Sequence, residues 1–363
     1  MNKIIFIAGG GTGGHLFPAL AIGDALTNKG FSIIYIGSKF GIEKKQFEKN
    51  NLIYYLLNIK GIQRNLSIKS IVSNMIFPIR FAVSYLFSII IIKKHNPVAI
   101  IGTGGYASAL PLIAGLHFKI PLMIQEQNSI PGMITKIMKN RVGKIFLGYE
   151  YSKSIFKNKN SIYTGNPLRT DLIILNKEDC KRNLEFSNNK KLILVIGGSQ
   201  GAKPINSYIK NNIHFFNNND IQLLWQVGSS NYDSFNKNIK SKNIRIKKFI
   251  NNMSEAYSAA DLVISRAGAL ALSELTMFNK AMILIPFPNA ANDHQNINAK
   301  YLHQRNACVI INQNNLKKGD LQESILDLIK HNNKIKNLEK NSKLLSMPNA
   351  TKTITKQIIH SIK

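Results

Sequence analysis

Apolar side chains fall along this chain in two alternating patterns. Residues 4–8 are a continuous run of strand-forming side chains; Gly9, Gly10, Gly11, Thr12, Gly13 and Gly14 follow, and an apolar segment of helical period opens at Leu16. That order predicts a strand, a glycine loop and a helix. The alternation continues with helix patterns over 17–28 and 108–117, strand patterns over 31–36, 98–101 and 122–125, and a second loop, Gly102-Thr103-Gly104-Gly105-Tyr106. Gly165-Asn166-Pro167 breaks the pattern. It restarts with a strand over 192–196, a third loop, Gly197-Gly198-Ser199-Gln200-Gly201, a helix from Pro204, and strand runs over 221–227, 244–250, 262–265 and 281–286. Alternating strands and helices build parallel sheets covered on both faces, and such sheets bind ligands beyond the carboxyl ends of their strands. The sequence therefore predicts an α/β fold of two doubly wound, Rossmann-like domains facing across a cleft. The first takes residues 1–163 and the second 164–345, with a terminal helix over about 346–363 packing back on the first.

Length agrees with this division, because 363 residues suit two domains better than one. The two cysteines, Cys180 and Cys308, stand in unrelated contexts and read as free thiols of a reducing compartment. The chain begins on a strand, without the basic and apolar regions of a secretory signal, so a cytoplasmic protein is expected. Residues 71–92 are mostly apolar and long enough to span a bilayer, but Asn74, Pro78 and Arg80 interrupt them. A central Arg costs about 2.5 to 3.5 kcal/mol on insertion, so a buried or interfacial helix is the better reading.

The net charge of +29 raises nucleic acid as a partner. Basic residues are instead scattered from Lys3 to Lys363 with no aromatic-basic motif, and the abundance of Lys, Asn and Ile fits codons drifted toward A and T. Attraction to an anionic lipid surface is the functional part of the charge, and no nucleic-acid partner is expected.

The glycine loops carry the chemistry. Without Cβ atoms, a loop between strand and helix lets backbone N–H groups close on an anion at the positive end of the helix. The spacing Gly9-x-Gly11-x-x-Gly14 also matches the dinucleotide fingerprint, which needs an acid at the end of the second strand to hold a ribose. There the chain has Gly37-Ser38-Lys39, and Glu43 lies too far on, so a nicotinamide or flavin enzyme is disfavoured. His15, where the first loop enters its helix, is either a residue satisfying helix-terminal groups or a general base. Glu274, on a helix opening at Gly268, is either a solvated surface acid or an acceptor for both hydroxyls of a ribose. Asp293-His294-Gln295 makes no convincing metal site, and the chain has no Asp-x-Asp, so neither metal nor other cofactor is expected.

These motifs, in this order, resemble the MurG family of bacterial transferases, which add N-acetylglucosamine to lipid-linked N-acetylmuramyl-pentapeptide in peptidoglycan synthesis. The matching stretches are Gly10-Gly11-Thr12-Gly13-Gly14-His15, Gly102-Thr103-Gly104-Gly105-Tyr106, Gln125-Glu126-Gln127-Asn128, Gly165-Asn166-Pro167-Leu168-Arg169, Gly197-Gly198-Ser199-Gln200-Gly201-Ala202, Arg266-Ala267-Gly268-Ala269-Leu270 with Glu274, and Asp293-His294-Gln295 with Asn298-Ala299. One glycine loop is unspecific; the ordered set is specific.

The resemblance implies an inverting glycosyltransferase of the GT-B type that binds UDP-N-acetylglucosamine chiefly on its second domain. It implies donor contacts by Thr12, Gly13, Gly14, Asn128, Arg169, Ser199, Ile250, Ala269, Leu270, Ala271, Leu272, Ser273, Glu274 and Gln295, with Ile250 offering its backbone to uracil and Glu274 holding the ribose. Ala271 stands where the family often has Thr, which removes a side-chain contact. His15 is the best-placed base, and Gly104, Gly105 and Tyr106 with the first loop would cradle the acceptor diphosphate. Ile76, Phe77, Ile79 and Phe81 with Lys69 and Arg80 would rest on the anionic inner membrane, at its cytoplasmic face. Two other readings compete: another UDP-sugar enzyme of this architecture, such as a 2-epimerase or glycolipid transferase, and a non-catalytic basic protein that binds membranes or nucleic acid.

Overall fold

The structure is a computed structural model that describes residues 3–63, 67–156, 160–229, 232–239 and 241–362. The chain divides into two units, Met1–Arg169 with Pro348–Lys363, and Thr170–Met347. The first unit holds a seven-stranded parallel sheet made of β1 (Ile4–Gly9), β2 (Ser32–Ser38), β3 (Tyr54–Leu57), β4 (Ala99–Gly104), β5 (Leu122–Glu126), β6 (Lys144–Leu147) and β7 (Ser161–Tyr163), in the order β3-β2-β1-β4-β5-β6-β7. The second holds a six-stranded parallel sheet of β8 (Leu192–Ile196), β9 (Gln222–Gln226), β10 (Ile244–Lys247), β11 (Leu262–Ser265), β12 (Met282–Leu284) and β13 (Val309–Ile310), in the order β10-β9-β8-β11-β12-β13. Both are doubly wound α/β sheets, as the apolar pattern predicts.

Strands of a parallel sheet are covered on both faces, and their side chains divide between two cores. Phe6, Ala8, Ile34, Ile36, Ile100 and Ile124 point to one core, while Ile5, Ile7, Ile33, Tyr35, Ile101 and Met123 point to the other. Helices α1 (Gly13–Thr27) and α2 (Glu43–Lys49) follow β1 and β2; α3 (Ile68–Met75) and α4 (Phe77–His95) precede β4, and α5 (Tyr106–His117) follows it. The terminal Ala350–Ser361 helix lies on α1, where Ile354 and Ile358 share a core with Leu16, Ile22 and Leu26. Register at the loops differs from the sequence reading in two places. Gly102, Thr103 and Gly104 are the end of β4 and not loop, and α1 begins inside the first glycine run.

The apolar stretch over 71–92 is divided between two helices meeting at Ile76, and no helix among the described residues is long and apolar enough to cross a membrane. Its exposed face differs in part from the expected one. Phe77 and Phe81 turn inward onto the core, Phe77 lying edge-on to Tyr106, because α4 uses that side to pack on α5. Ile76 and Ile79 are exposed, Ile79 at 66%, and Ile68, Val72, Met75, Val83, Leu86 and Ile90 extend the apolar stripe at helical spacing. Arg80 lies over the ring of Phe40. The side chain of Lys69 falls outside the described residues.

In the second unit a buried carboxylate ties the Lys177–Asn183 helix to the sheet. Asp261 Oδ1 lies 2.5 Å from Lys177 Nζ, and its Oδ2 lies 2.8 Å from Lys181 Nζ and accepts from the Leu192 N–H at 2.8 Å. Burial by itself raises this carboxyl, but Lys177, the Leu192 N–H and Lys181 together hold it below the ordinary carboxylate value. A depressed native pKa stabilises the fold above the unfolded pKa, and that stability is lost as pH falls through the native value. Asp261→Asn should cost about 1 to 3 kcal/mol at pH 7 in urea unfolding and flatten the loss of stability on acidification below pH ~4. An unchanged acid limb in the variant would mean that other carboxylates carry it.

Candidate active site

In the first unit the sheet reverses direction of growth between β1 and β4, the switch point at which doubly wound sheets open a crevice. The first glycine loop leaves β1 and the second leaves β4, so both stand at that point. They approach closely enough to demand glycine: a Cβ on Gly105 (φ 76°) would lie 2.4 Å from the Gly10 carbonyl oxygen, and one on Gly104 (φ 101°) 2.5 Å from His15 Nδ1.

His15, half-buried in the first turn of α1, directs Nδ1 at the Thr103 carbonyl oxygen, 3.0 Å away, and at Gln127 Oε1, 3.2 Å away. A carbonyl only accepts, so Nδ1 carries a proton, and in the neutral ring the lone pair is on Nε2. Thr103 Oγ1 donates to the His15 carbonyl at 2.8 Å, fixing the helix end to β4. Behind Gln127 the network continues through buried side chains: Gln127 Nε2 donates to Gln125 Oε1 at 2.7 Å, and Gln125 Nε2 to Asn166 Oδ1 at 3.0 Å. The imidazole is thus held in one orientation and one tautomer, the arrangement of a proton acceptor.

Thr12 and Gly14 are exposed and Gly13 half-buried around this histidine. Asn128 is half-buried, its N–H donating to Glu126 Oε1 at 3.2 Å. Gly105 caps α5 and Tyr106 is its first residue, so the second loop ends on the N-terminus of a twelve-residue helix. Arg169 belongs by its contacts to the first unit, where its guanidinium lies over the ring of Phe17 in α1, and not to the second domain as its position in the sequence suggested. The first loop departs most from expectation. Its Gly11 N–H donates to the buried carboxylate of Glu43, a residue too far past β2 for the ribose contact of a dinucleotide site.

In the second unit the switch point lies between β8 and β11. The third glycine loop, carrying the exposed Ser199, leaves β8, and Gly268 caps the Ala269–Met277 helix beyond β11. Gln226, buried at the end of β9, joins this region: its Nε2 donates to the Gly198 carbonyl at 3.0 Å, and its Oε1 accepts from the Ile250 N–H at 2.8 Å. The backbone N–H of Ile250 is therefore engaged, which leaves the carbonyl as the group for a ligand. Leu270, Ala271 and Ser273 are half-buried on their helix, whereas Ala269 and Leu272 are buried and would reach a ligand only by backbone; the Ser273 hydroxyl donates to the Ala269 carbonyl.

Glu274 is half-buried and accepts from the Tyr257 hydroxyl at 2.8 Å on Oε2. Gln295 Oε1 accepts from the Phe287 N–H at 3.0 Å. That loop is braced by Arg266, whose guanidinium donates to the Ile285 and Pro286 carbonyls at 2.9 and 3.0 Å and to Gln313 Oε1 at 2.6 Å. Burial brings this guanidinium down to about 10, so it remains charged at neutral pH. Among the described residues no group of three or more His, Cys, Asp and Glu side chains is gathered as metal ligands. Gln226 and Tyr257 were missed from sequence; the available sign for Gln226 was a polar residue closing an apolar strand run at the carboxyl edge.

Residues 5–147 match the glycosyltransferase family 28 N-terminal domain and residues 192–354 the glycosyltransferase family 28 C-terminal domain. A protein of Christiangramia forsetii is 36% identical over 98% of this chain and 96% of its own length, and one of Flavobacterium psychrophilum is 35% identical over 100% and 99%. Both are named UDP-N-acetylglucosamine--N-acetylmuramyl-(pentapeptide) pyrophosphoryl-undecaprenol N-acetylglucosamine transferase. Among solved structures, Acinetobacter baumannii MurG superposes with a TM-score of 0.76 at 22% identity, covering 99% of this chain and 100% of that one. The calicheamicin glycosyltransferase CalG4 gives 0.73 at 9% identity, over 99% and 98%. These two likenesses speak to fold, and the near-full-length sequence matches speak to family.

Proposed function

This chain belongs to glycosyltransferase family 28, among the transferases named for UDP-N-acetylglucosamine and a muramyl-peptide lipid, and from that premise we propose what it does. It moves N-acetylglucosamine from UDP-N-acetylglucosamine to the 4-hydroxyl of undecaprenyl-diphosphate-linked N-acetylmuramyl-pentapeptide, with inversion, in peptidoglycan synthesis. The observation that carries the reading is the match of at least 35% identity across almost the whole of both chains to relatives of that name.

The chemistry divides between the units. On the first, Nε2 of His15 takes the proton from the acceptor 4-hydroxyl as its oxygen attacks C1 of the sugar, and the C1–oxygen bond to the UDP diphosphate breaks. On the second, Glu274 accepts from the ribose hydroxyls, the Ile250 carbonyl accepts from uracil, and the third loop with the N-terminus of the Ala269–Met277 helix meets the departing diphosphate. Tyr257 supports the ribose reading of Glu274, since its hydroxyl donates to Oε2 and so fixes the orientation of the carboxylate. Gly105 and Tyr106 at the start of α5 take the acceptor diphosphate.

A decisive assay incubates the protein with UDP-N-acetylglucosamine, with and without the lipid-diphosphate muramyl-peptide. UDP should appear only with the acceptor. Formation of UDP-N-acetylmannosamine without it would favour the 2-epimerase reading instead.

The exposed stripe from Ile68 to Ile90, on a chain of net charge +29, supports peripheral attachment to an anionic membrane at the cytoplasmic face, where the lipid acceptor is held. Exposure makes Ile79 and Leu86 safe to change. Ile79→Glu with Leu86→Glu should weaken binding to anionic vesicles in a flotation assay by at least 10-fold, while transfer to a short-chain soluble acceptor stays near normal. Undiminished vesicle binding would move the membrane face elsewhere.

A further inference from the structure

Glu43 is the first residue of α2, yet its carboxylate is 0% exposed and lies beneath the first glycine loop. One oxygen, Oε1, accepts from the Gly11 N–H at 2.6 Å and from the Ser38 N–H at 3.1 Å; the other, Oε2, has no hydrogen-bond partner among the described residues. Burying such a group is costly unless its bonds repay the desolvation. The chain nevertheless clears room for it with three glycines: a Cβ on Gly10 would lie 1.7 Å from Oε1, one on Gly41 1.7 Å from Oε2, and one on Gly37 3.0 Å from the Glu43 Cβ.

The engaged N–H belongs to the residue before Thr12, which caps α1 and whose carbonyl accepts from the His15 and Leu16 N–H groups at 3.2 and 3.1 Å. A short path of hydrogen bonds and backbone therefore runs from Glu43 through Gly11 and Thr12 to the first turn of α1 that carries His15. The Gly11 N–H, turned inward to Glu43, is also withdrawn from any ligand outside. Resting on the functional reading above, we propose that Glu43 is a positioning residue that fixes the first glycine loop and so aims His15, and that the acceptor diphosphate is cradled by the second loop rather than the first. The two glycine loops of the first unit then have different tasks. One orients the base, and the other, opening on α5, binds the anion.

Glu43→Ala and Glu43→Gln separate this from a merely structural role. Gln keeps an oxygen that accepts from both N–H groups, and Ala keeps none. Misplacing a reacting group by about 1 Å costs on the order of 10²-fold, so Glu43→Ala should lower kcat about 10- to 100-fold with the KM values for both substrates within about 3-fold of normal. Glu43→Gln should restore kcat to within about 3-fold. In hydrogen exchange, the peptide spanning residues 9–16 should exchange faster in Glu43→Ala and as in the wild type in Glu43→Gln. If instead the first loop were the diphosphate cradle, freeing the Gly11 N–H would lower the acceptor KM at unchanged kcat, and the proposal would be overturned. It would equally be overturned by a Glu43→Gln variant that folds but loses kcat or loop protection. A wild-type protein without transfer would defeat the functional reading, while the exchange comparison would still decide whether Glu43 holds the loop.

Discussion

Replacing His15 by alanine should lower kcat by about 10²- to 10⁴-fold, the usual contribution of a positioned general base. The donor KM should stay within a few-fold, because His15 lies at the switch point of the first unit and the uridine contacts are assigned to the second. The argument rests on geometry. Nδ1 is fixed as a donor by the Thr103 carbonyl at 3.0 Å, so the lone pair that could take a proton is confined to Nε2. His15→Asn tests orientation apart from proton transfer, since its amide can still donate toward Thr103 but offers no basic nitrogen; its kcat should be as low as that of the alanine variant. Normal turnover with a raised acceptor KM in both variants would make His15 a diphosphate-binding residue, and the base would lie elsewhere.

Glu274→Ala should act on the other substrate. A charge-assisted hydrogen bond is worth roughly 1.5 to 3 kcal/mol, which converts to a rise of about 10- to 150-fold in the donor KM. The loss should be specific to the nucleoside: UDP should weaken as a competitive inhibitor by the same factor, while the acceptor KM stays put. Tyr257, whose hydroxyl holds Glu274 Oε2 at 2.8 Å, should share the effect in part when changed to phenylalanine. An unchanged donor KM in Glu274→Ala would identify this glutamate as a surface acid of its helix.

The sheets were legible because parallel strands are buried on both faces and so read as unbroken apolar runs, as β1, β8 and β11 do. β3, β6 and β7 escaped that reading for a physical reason. They lie toward the edges of the first sheet, and two of them carry polar residues, Lys144 in β6 and Ser161 in β7, that interrupt any apolar run. Phe77 and Phe81 were expected outward with the membrane face that the resemblance implies, and an apolar residue type does not distinguish a helix face that meets lipid from one that packs on a neighbouring helix. His15 could be picked out by its place after a glycine loop, but the groups that orient it come from 88 and 112 residues away in the chain. Glu43 was set aside on its distance from the end of β2; the turn over residues 39–42 and the glycines around it carry the carboxylate back to a loop 32 residues earlier.

The most direct measurement on the whole account is the structure of the product. Protein, UDP-N-acetylglucosamine labelled at C1 and the lipid-diphosphate muramyl-peptide should be incubated together, and the labelled lipid analysed by nuclear magnetic resonance. The α-linked sugar of the donor should appear β-linked to the 4-hydroxyl of the muramyl residue, with one UDP released for each sugar transferred. Label that stays in the nucleotide fraction, or a sugar joined with retained configuration or at another hydroxyl, would contradict the account.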